Sequence, residues 1–352
     1  MTALRIGTRR SALATTQSAW VADRLRHAGH EVELVEITTH GDVSSAALTT
    51  IGGTGVFAAA IRRALLEDEI DLAVHSLKDL PTTPEPRLTV AAVPRREDPR
   101  DVLVARDGLT LGELPDGAVV GTGSPRRTAQ LNALGLGLDV RPVRGNVDTR
   151  IRLVRSGTCD AVVLARAGLS RLGLLDHVTE TLDPLQFLPA PGQGALAIEC
   201  RTDRTDVVAL LAVLDDADSR ASVTAERAVL AALEAGCTAP VGALGEVVEG
   251  ESGVELSLRA FVGAEDGSAE LRRSLIGSVD DPVDLGRQLA EILLEDGAQD
   301  LAGHPPAPPG GIPRPVADQD LAGHPPAPPD GIPRPVTALS TPPIPSHREQ
   351  VS

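Results

Sequence analysis

The sequence predicts an α/β protein with mostly parallel sheet, joined to a small C-terminal α+β module and a disordered proline-rich tail. Three observations predict it. Apolar runs of strand length alternate with helix-period stretches from the N-terminus to about residue 165. From about Asp218 the pattern becomes a long helix, two strands and a last helix. Beyond residue 300 composition shifts, and 15 of the 28 prolines lie between Leu301 and Ser352. Alternating strands and helices form right-handed crossover units, which build parallel sheets.

Leu4 to Thr8 reads as a short buried strand. Ser11 suits the cap of a helix running to about Ala28, with Gly29 as its stop, because a hydroxyl accepts a free first-turn N–H and glycine adopts the left-handed conformation. Glu31 to Thr38 alternates apolar and polar residues, as a strand does. Residues 41–55 are polar, rich in Gly and Thr, and without period; loops of that length are usually lids or binding loops. Val56 to Glu67 is helical and Asp71 to Ser76 is the next strand.

The alternation continues with strand Ala118–Gly121, helix Pro125–Ala133, strand Leu138–Val143, helix Val147–Ser156 and strand Asp160–Ala165. Ligands of such sheets collect at strand C-termini, and Asp79, Ser124 and Arg144 all follow strands. In the α+β module a helix ends at Glu234, Val241–Val248 and Glu255–Val262 are strands, and Asp284–Leu294 is a helix. In the tail, the segment 299–309 returns at 319–329, and Ile312–Val316 returns at Ile332–Val336. Two proline-rich copies lack the apolar area to offset ordering entropy, so a partly polyproline-II tail is expected. His304 and His324 recur with it, and no metal site is expected there.

Bulk properties exclude several classes of function. The net charge of −16 argues against nucleic-acid or anionic-membrane partners. The only aromatic residues are Trp20, Phe57, Phe187 and Phe261, so the core must be Leu, Val, Ile and Ala, and stacking platforms for bases are missing. There is no signal-peptide pattern and no apolar run near the ~18 residues of a membrane span. Three widely spaced cysteines make neither a disulfide framework nor a metal site. A reducing cytoplasm is the expected compartment.

Lys78 is the only lysine among the 33 basic Lys and Arg residues. It lies in His75-Ser76-Leu77-Lys78-Asp79-Leu80-Pro81, at a strand end beside a carboxylate. Lysine is a compact charge on a flexible stem where arginine is a planar fork, so its retention points to a small polar site rather than a generic surface charge. A second concentration lies between Arg126 and Arg155, with seven arginines against Asp139 and Asp148. Gly121-Thr122-Gly123-Ser124-Pro125-Arg126-Arg127 reads as strand, glycine turn, Ser cap and Pro at the first helical position. Free N–H groups at such a helix start, with two arginines beside them, suit an anion. Arg144-Gly145-Asn146 repeats the arrangement. Arg126, Arg127, Arg144 and Arg150 are the candidates; Arg152 and Arg155 read as a solvated helix face. No P-loop is present, so carboxylates suit the site at least as well as phosphates.

Cys159 precedes a buried strand and Cys200 ends the apolar run Ala195–Ile198; both read as core residues. Cys237 follows Glu234-Ala235-Gly236 on a turn at the module's edge. From spacing alone it is either an ordinary turn thiol or a covalent attachment point, and no histidine placement suggests a hydrolytic pair.

Taken together, several strings resemble the porphobilinogen deaminase (hydroxymethylbilane synthase) family: Arg5–Ser11, Gly52–Phe57, Ala73–Asp79, Arg96–Asp101, Gly121–Arg127, Arg144–Val147, Pro191–Ala195 and Glu234–Cys237. They occur in family order across about residues 4–298, and the proline-rich tail lies outside them. The resemblance implies two lobes like those of periplasmic binding proteins and a third α+β domain. The division would be 1–94 with 195–214 for one lobe, 100–190 for the arginine-rich lobe, 217–300 for the domain carrying Cys237, and 301–352 for the tail.

It also implies an activity. Four porphobilinogen molecules would be joined head to tail with loss of ammonia, giving linear hydroxymethylbilane for heme biosynthesis in a cytoplasmic monomer. Cys237 would hold a dipyrromethane cofactor by a thioether, as a primer. Asp79 would be the catalytic carboxylate, stabilising the cations formed as ammonia leaves and rings join. Lys78, Ser124, Arg126, Arg127 and Arg144 would bind the cofactor, and Arg9, Ser11, Arg150, Arg171 and Gln193 the substrate. Gln17 and Ser76 would be polar lining. Phe57 would either stack on a pyrrole or fill a core at a helix start. No metal is implied. Many members carry lysine where this chain has Thr54, which leaves fewer charges on the glycine-rich loop. A non-catalytic carboxylate-binding protein of the same architecture is the alternative, and it would need neither Asp79 nor a modified Cys237.

Overall fold

Strand β1 (Leu4–Thr8) feeds helix α1 (Ala12–His27), and the chain returns in β2 (Val32–Glu36) parallel to β1. The Ser11 hydroxyl accepts the Ala14 N–H at 3.3 Å, as its cap position requires, and Gly29 takes a φ of +90° just past the helix. A computed structural model describes residues 3–37, 56–235, 239–250 and 253–301 of this chain, without the side chains of residues 56 and 57. The glycine-rich segment 41–55, Cys237 and the proline-rich tail therefore lie outside the described residues.

After α2 (Val56–Leu66) come β3 (Leu72–Ser76) and β4 (Leu88–Ala92). The chain then builds a second sheet from β5 (Asp101–Ala105), β6 (Val119–Thr122), β7 (Asp139–Pro142), β8 (Ala161–Ala165) and β9 (Glu180–Thr181). Helices α3 (Pro125–Ala133), α4 (Val147–Arg155) and α5 (Arg166–Leu172) connect its strands. Strand β10 (Leu196–Arg201) returns to the first sheet and is followed by α6 (Thr205–Leu211).

The two sheets share one topology: β2-β1-β3-β10-β4 and β7-β6-β8-β5-β9. In each, the first three strands are parallel, as the alternation predicts, and the last two pairings are antiparallel. The register explains the reversal. Leu196, the first residue of β10, pairs with Ser76, the last of β3, and Asp101 at the start of β5 pairs with Ala165 at the end of β8. A strand that crosses from the other lobe begins where the parallel strands end, so it runs against them. The same geometry brings both crossings to the strand ends where β3 delivers Lys78 and Asp79.

Each sheet is buried on both faces. Val21 and Leu25 of α1 pack with Ile6, Leu72 and Ile198 on one face of the first, and Ile61 and Leu65 of α2 with Ile70 on the other. Each such side chain contributes about 1.5–3 kcal/mol of transfer free energy. The third sheet is antiparallel, β11 (Val241–Gly250), β12 (Gly253–Gly263) and β13 (Glu270–Ser278), covered by α7 (Ala217–Ala232) and α8 (Pro282–Glu295). Leu244 and Phe261 of this sheet meet Ala129 and Leu188.

The crossings 93–100 and 188–195 lie side by side on α7. Glu226, fully buried, accepts from Arg96 at 2.6 and 3.0 Å, from the Gly192 N–H at 2.6 Å and from the Gly245 N–H at 2.8 Å. One carboxylate thus joins both crossings to the third sheet.

Candidate active site

Strand β3 ends in a single 3-10 turn, Leu77–Asp79. Leu77 and Leu80 are buried on either side of it, and the Leu77 N–H donates to the Ala195 carbonyl at 3.0 Å. Arg227 of α7 donates to the Leu80 carbonyl at 2.8 Å and to the Pro81 carbonyl at 2.7 Å. The turn is held by its apolar residues and backbone, which leaves Asp79 exposed and Lys78 half-buried. Ser76, just before the turn, pairs with Gln17 of α1 at 3.0 Å.

Lys78 lies against the second lobe's charges. Its ammonium donates to Gln193 Oε1 at 3.2 Å. Gln193 in turn donates to Asp101 at 2.8 Å and to the Pro99 carbonyl at 2.7 Å. Asp101 pairs with Arg126 at 2.8 Å and Arg127 at 2.7 Å. Arg126 also donates to the Leu188 carbonyl, and Arg127 to the Val163 carbonyl at 2.9 Å. Burial pushes Lys78 down to about 8, with Asp79 and Asp101 opposing that shift and Arg127 and Arg126 adding to it. Burial would raise the Asp101 carboxyl, but the two guanidiniums hold it well below the usual carboxylate range. Arg150 is lowered first by burial and then by Arg127, which places Arg127 within electrostatic reach of both Lys78 and Arg150.

The other candidates take separate positions. Arg150 donates to the Gly145 carbonyl at 3.0 Å, while Arg144 is exposed without an ion pair to a described residue. Arg171 donates to the Gly194 carbonyl at 2.7 Å. Arg9 follows β1 and Ser11 caps α1, both half-buried. Arg152 bonds Thr149 and Arg155 meets His177 on an exposed surface, as their reading as a solvated face requires. Cys159 and Cys200 are buried, and burial pushes the Cys200 thiol up to about 11. Phe57 falls within α2, but its side chain is outside the described residues.

Two expectations need adjustment. Ser124 occupies the cap position of α3, but its side chain makes no cap bond; its N–H instead turns back to the Thr122 hydroxyl at 3.3 Å. Gln193, expected to line the substrate site, is 1% exposed and its amide bonds across both lobes. Sequence reading also passed over Asp101 and Glu226 as individual residues. For Glu226 a signal existed: it falls on the apolar stripe Val223, Val229, Leu230, where an acid must have a buried partner.

This residue set fits a ligand bearing several carboxylates. Lys78, Arg126, Arg127 and Arg150 bring four positive charges together against Asp79 and Asp101. Arg126 Nε is buried and has no hydrogen-bond partner among the described residues, although buried donors are nearly always satisfied. A dipyrromethane with its acetate and propionate arms supplies acceptors of the kind this set lacks.

Comparisons with known proteins agree. Residues 4–209 match the family model "Porphobilinogen deaminase, dipyromethane cofactor binding domain", and residues 221–295 match "Porphobilinogen deaminase, C-terminal domain". The porphobilinogen deaminase of Mycobacteroides abscessus is 60% identical over 85% of this chain and 99% of its own length. That of Mycobacterium tuberculosis strain H37Rv is 61% identical over 85% of this chain and 98% of its own. A solved lipoprotein of the YaeC family from Enterococcus faecalis is similar at 13% identity and a TM-score of 0.37, over 61% of this chain and 91% of that one, a likeness too distant to bear on function. With a fold assembled around one charged turn and both family models matched in order, this chain belongs to the porphobilinogen deaminase family.

Proposed function

We propose that Asp79 is the catalytic carboxylate of this chain and that the cations linked through Arg127 hold the growing oligopyrrole acid. As a porphobilinogen deaminase the chain is a transferase: it condenses four porphobilinogen molecules head to tail, with loss of ammonia, to linear hydroxymethylbilane in tetrapyrrole biosynthesis. A dipyrromethane cofactor, attached in this reading to Cys237, supplies the primer that each new unit extends.

The observation that carries the assignment is the exposed Asp79 on a buried, anchored turn, beside an excess of desolvated positive charge. Lys78, Ser124, Arg126, Arg127 and Arg144 would bind cofactor carboxylates, and Arg9, Ser11, Arg150 and Arg171 those of the substrate. Charge-assisted bonds of this kind contribute about 1.5–3 kcal/mol each. Departure of ammonia leaves positive charge on the pyrrole. A carboxylate ~4 Å away, at an effective dielectric of ~20, contributes about 4 kcal/mol to its stabilisation, roughly a thousandfold in rate. Asp79 would accept the pyrrole N–H and move the proton released as rings join.

The reading places the chain in the cytoplasm as a monomer acting on a small molecule. The net charge of −16 supports the absence of a polyanionic partner. None of the helices among the described residues is long and apolar enough to cross a membrane. A non-catalytic carboxylate binder is not favoured.

The test is Asp79→Asn. It should fold with an unchanged circular dichroism spectrum and consume porphobilinogen about a thousandfold more slowly. Near-normal consumption would remove Asp79 from the chemistry. In parallel, the intact mass of the wild-type protein should exceed the sequence mass by two pyrrole units, and Cys237→Ser should lack that excess.

A further inference from the structure

We propose that Gln193 is a positioning residue, a strut that sets the Lys78–Asp79 turn of the first lobe against the Arg126–Arg127 pair of the second. The inference rests on the reading of that turn as the working centre, and it replaces the substrate-lining role expected from sequence. Gln193 is 1% exposed, and all three of its amide contacts are to protein. Its Oε1 accepts from Lys78 of the first lobe, and its Nε2 donates to Pro99 and Asp101 at the entry to the second. The amide has only one orientation that works. Turning it over would set its N–H groups against an ammonium and its oxygen against a carboxylate and a carbonyl.

The strut is clamped at its base. Gly192 donates to Glu226 at 2.6 Å, Arg96 donates to the Gln193 carbonyl at 2.8 Å, and the Gln193 N–H donates to the Ala190 carbonyl at 2.9 Å. Gly192 and Gly194 have φ of +75° and +88°, and a Cβ on Gly194 would stand 2.4 Å from the Glu97 carbonyl oxygen. Only glycine on either side lets residue 193 sit this close to the crossing strand. Asp101 receives the far end of the strut and itself orients both guanidiniums. A shift of the Gln193 amide therefore moves Lys78 relative to Arg126 and Arg127.

Among the described residues, charged groups facing Lys78 come from its own turn (Asp79), from β5 (Asp101) and from α3 (Arg126, Arg127). Against that fixed background, residue 193 tunes the ammonium. Removing the acceptor disfavours the charged form, and adding a carboxylate favours it.

The experiment uses the chain's single lysine. In holoenzyme labelled with 13C at lysine Cε, one resonance reports the titration of Lys78. Gln193→Met should titrate about half a pH unit or more below wild type, and Gln193→Glu about half a unit or more above it. Both should lose about tenfold or more in kcat, the worth of one hydrogen bond of ~1.4 kcal/mol, with KM for porphobilinogen changed far less. A structural role alone would not move the titration in opposite directions. An unmoved resonance in either folded variant, or a raised KM with kcat retained, overturns the proposal. If Gln193→Met does not fold, the direction of the Gln193→Glu shift decides. If neither folds, the wild-type Gln193 side-chain amide decides, since two buried acceptors require slow hydrogen exchange and rapid exchange sinks the strut. Failure of the underlying reading would appear separately, as full turnover by Asp79→Asn.

Discussion

At Asp101 the chain buries a carboxylate completely and surrounds it with Arg126, Arg127 and Gln193. Burial opposes its charge and the guanidiniums outweigh burial, so its carboxyl is held well below the usual range. A depressed folded-state pKa adds stability above the unfolded value near ~3.9, and that contribution is lost as pH falls through the folded value. At pH 7 it is fully present. Asp101→Asn should therefore cost about 3–5 kcal/mol in urea unfolding at pH 7, because two guanidiniums lose their counter-charge in the interior. The gap from wild type should narrow below about pH 4. A loss under about 1 kcal/mol would show that the arginines do not depend on Asp101. None of this was legible in sequence. Arg96–Asp101 mixes charges of both signs around a proline, as a solvated turn does, and only the crossing between lobes turns its last residue inward. Lys78 was legible because it is the sole lysine, and its turn is anchored as a site at a strand end should be.

Elements with a local period were legible. The bounds read for α3 are those observed, and those for β1, α1 and α4 agree to within a residue or two. Strands β4, β5, β9, β10 and β13 were not assigned, since their pairing is settled by distant partners. The sheet edge β13, Glu270–Ser278, is polar and largely exposed, with no alternating apolar face for a reader to find. The end of α7 shows a further local choice. Glu234 takes a φ of +50°, with its N–H on the Ala231 carbonyl and the Ala235 N–H on the Leu230 carbonyl, which is a left-handed C-terminal cap. Glycine holds that conformation without a Cβ penalty. Glu234→Gly should raise stability by about 0.5–1 kcal/mol, the backbone strain relieved less the entropy added to the unfolded chain. The urea midpoint would rise with an unchanged slope. A lower midpoint would mean that the Glu234 carboxylate contributes more than its backbone conformation costs.

Across the whole molecule, composition marked the proline-rich tail, and the matched family domains end before it, at residue 295. Pattern marked the change of architecture near residue 218, where α7 begins at Ala217. It did not reveal how the third sheet is tied to the lobes, because the tie at which both crossings and the sheet meet is an acid on an apolar stripe. Glu226 binds Arg96 of one crossing, Gly192 of the other and Gly245 of β11. Beside that carboxylate the contact rests on apolar packing of Leu244 and Phe261 on Ala129 and Leu188, and on hydrogen bonds from Ala243 to the Pro189 carbonyl, from Asn132 to the Glu265 carbonyl and from Arg272 to the Gln186 carbonyl. Glu226→Gln keeps the shape but leaves the Arg96 guanidinium, 9% exposed, without its counter-charge, and gives one of the backbone N–H groups an amide donor instead of an acceptor. The cost should be about 3 kcal/mol or more. Because the loss falls on the joint rather than on any one core, it should also reduce cooperativity between the parts. Calorimetry of the variant should show a broadened or split transition in which the third sheet melts below the lobes, where wild type melts as one. A single sharp transition within about 2 °C of wild type would mean that the apolar patch and the remaining hydrogen bonds hold the three sheets together without Glu226.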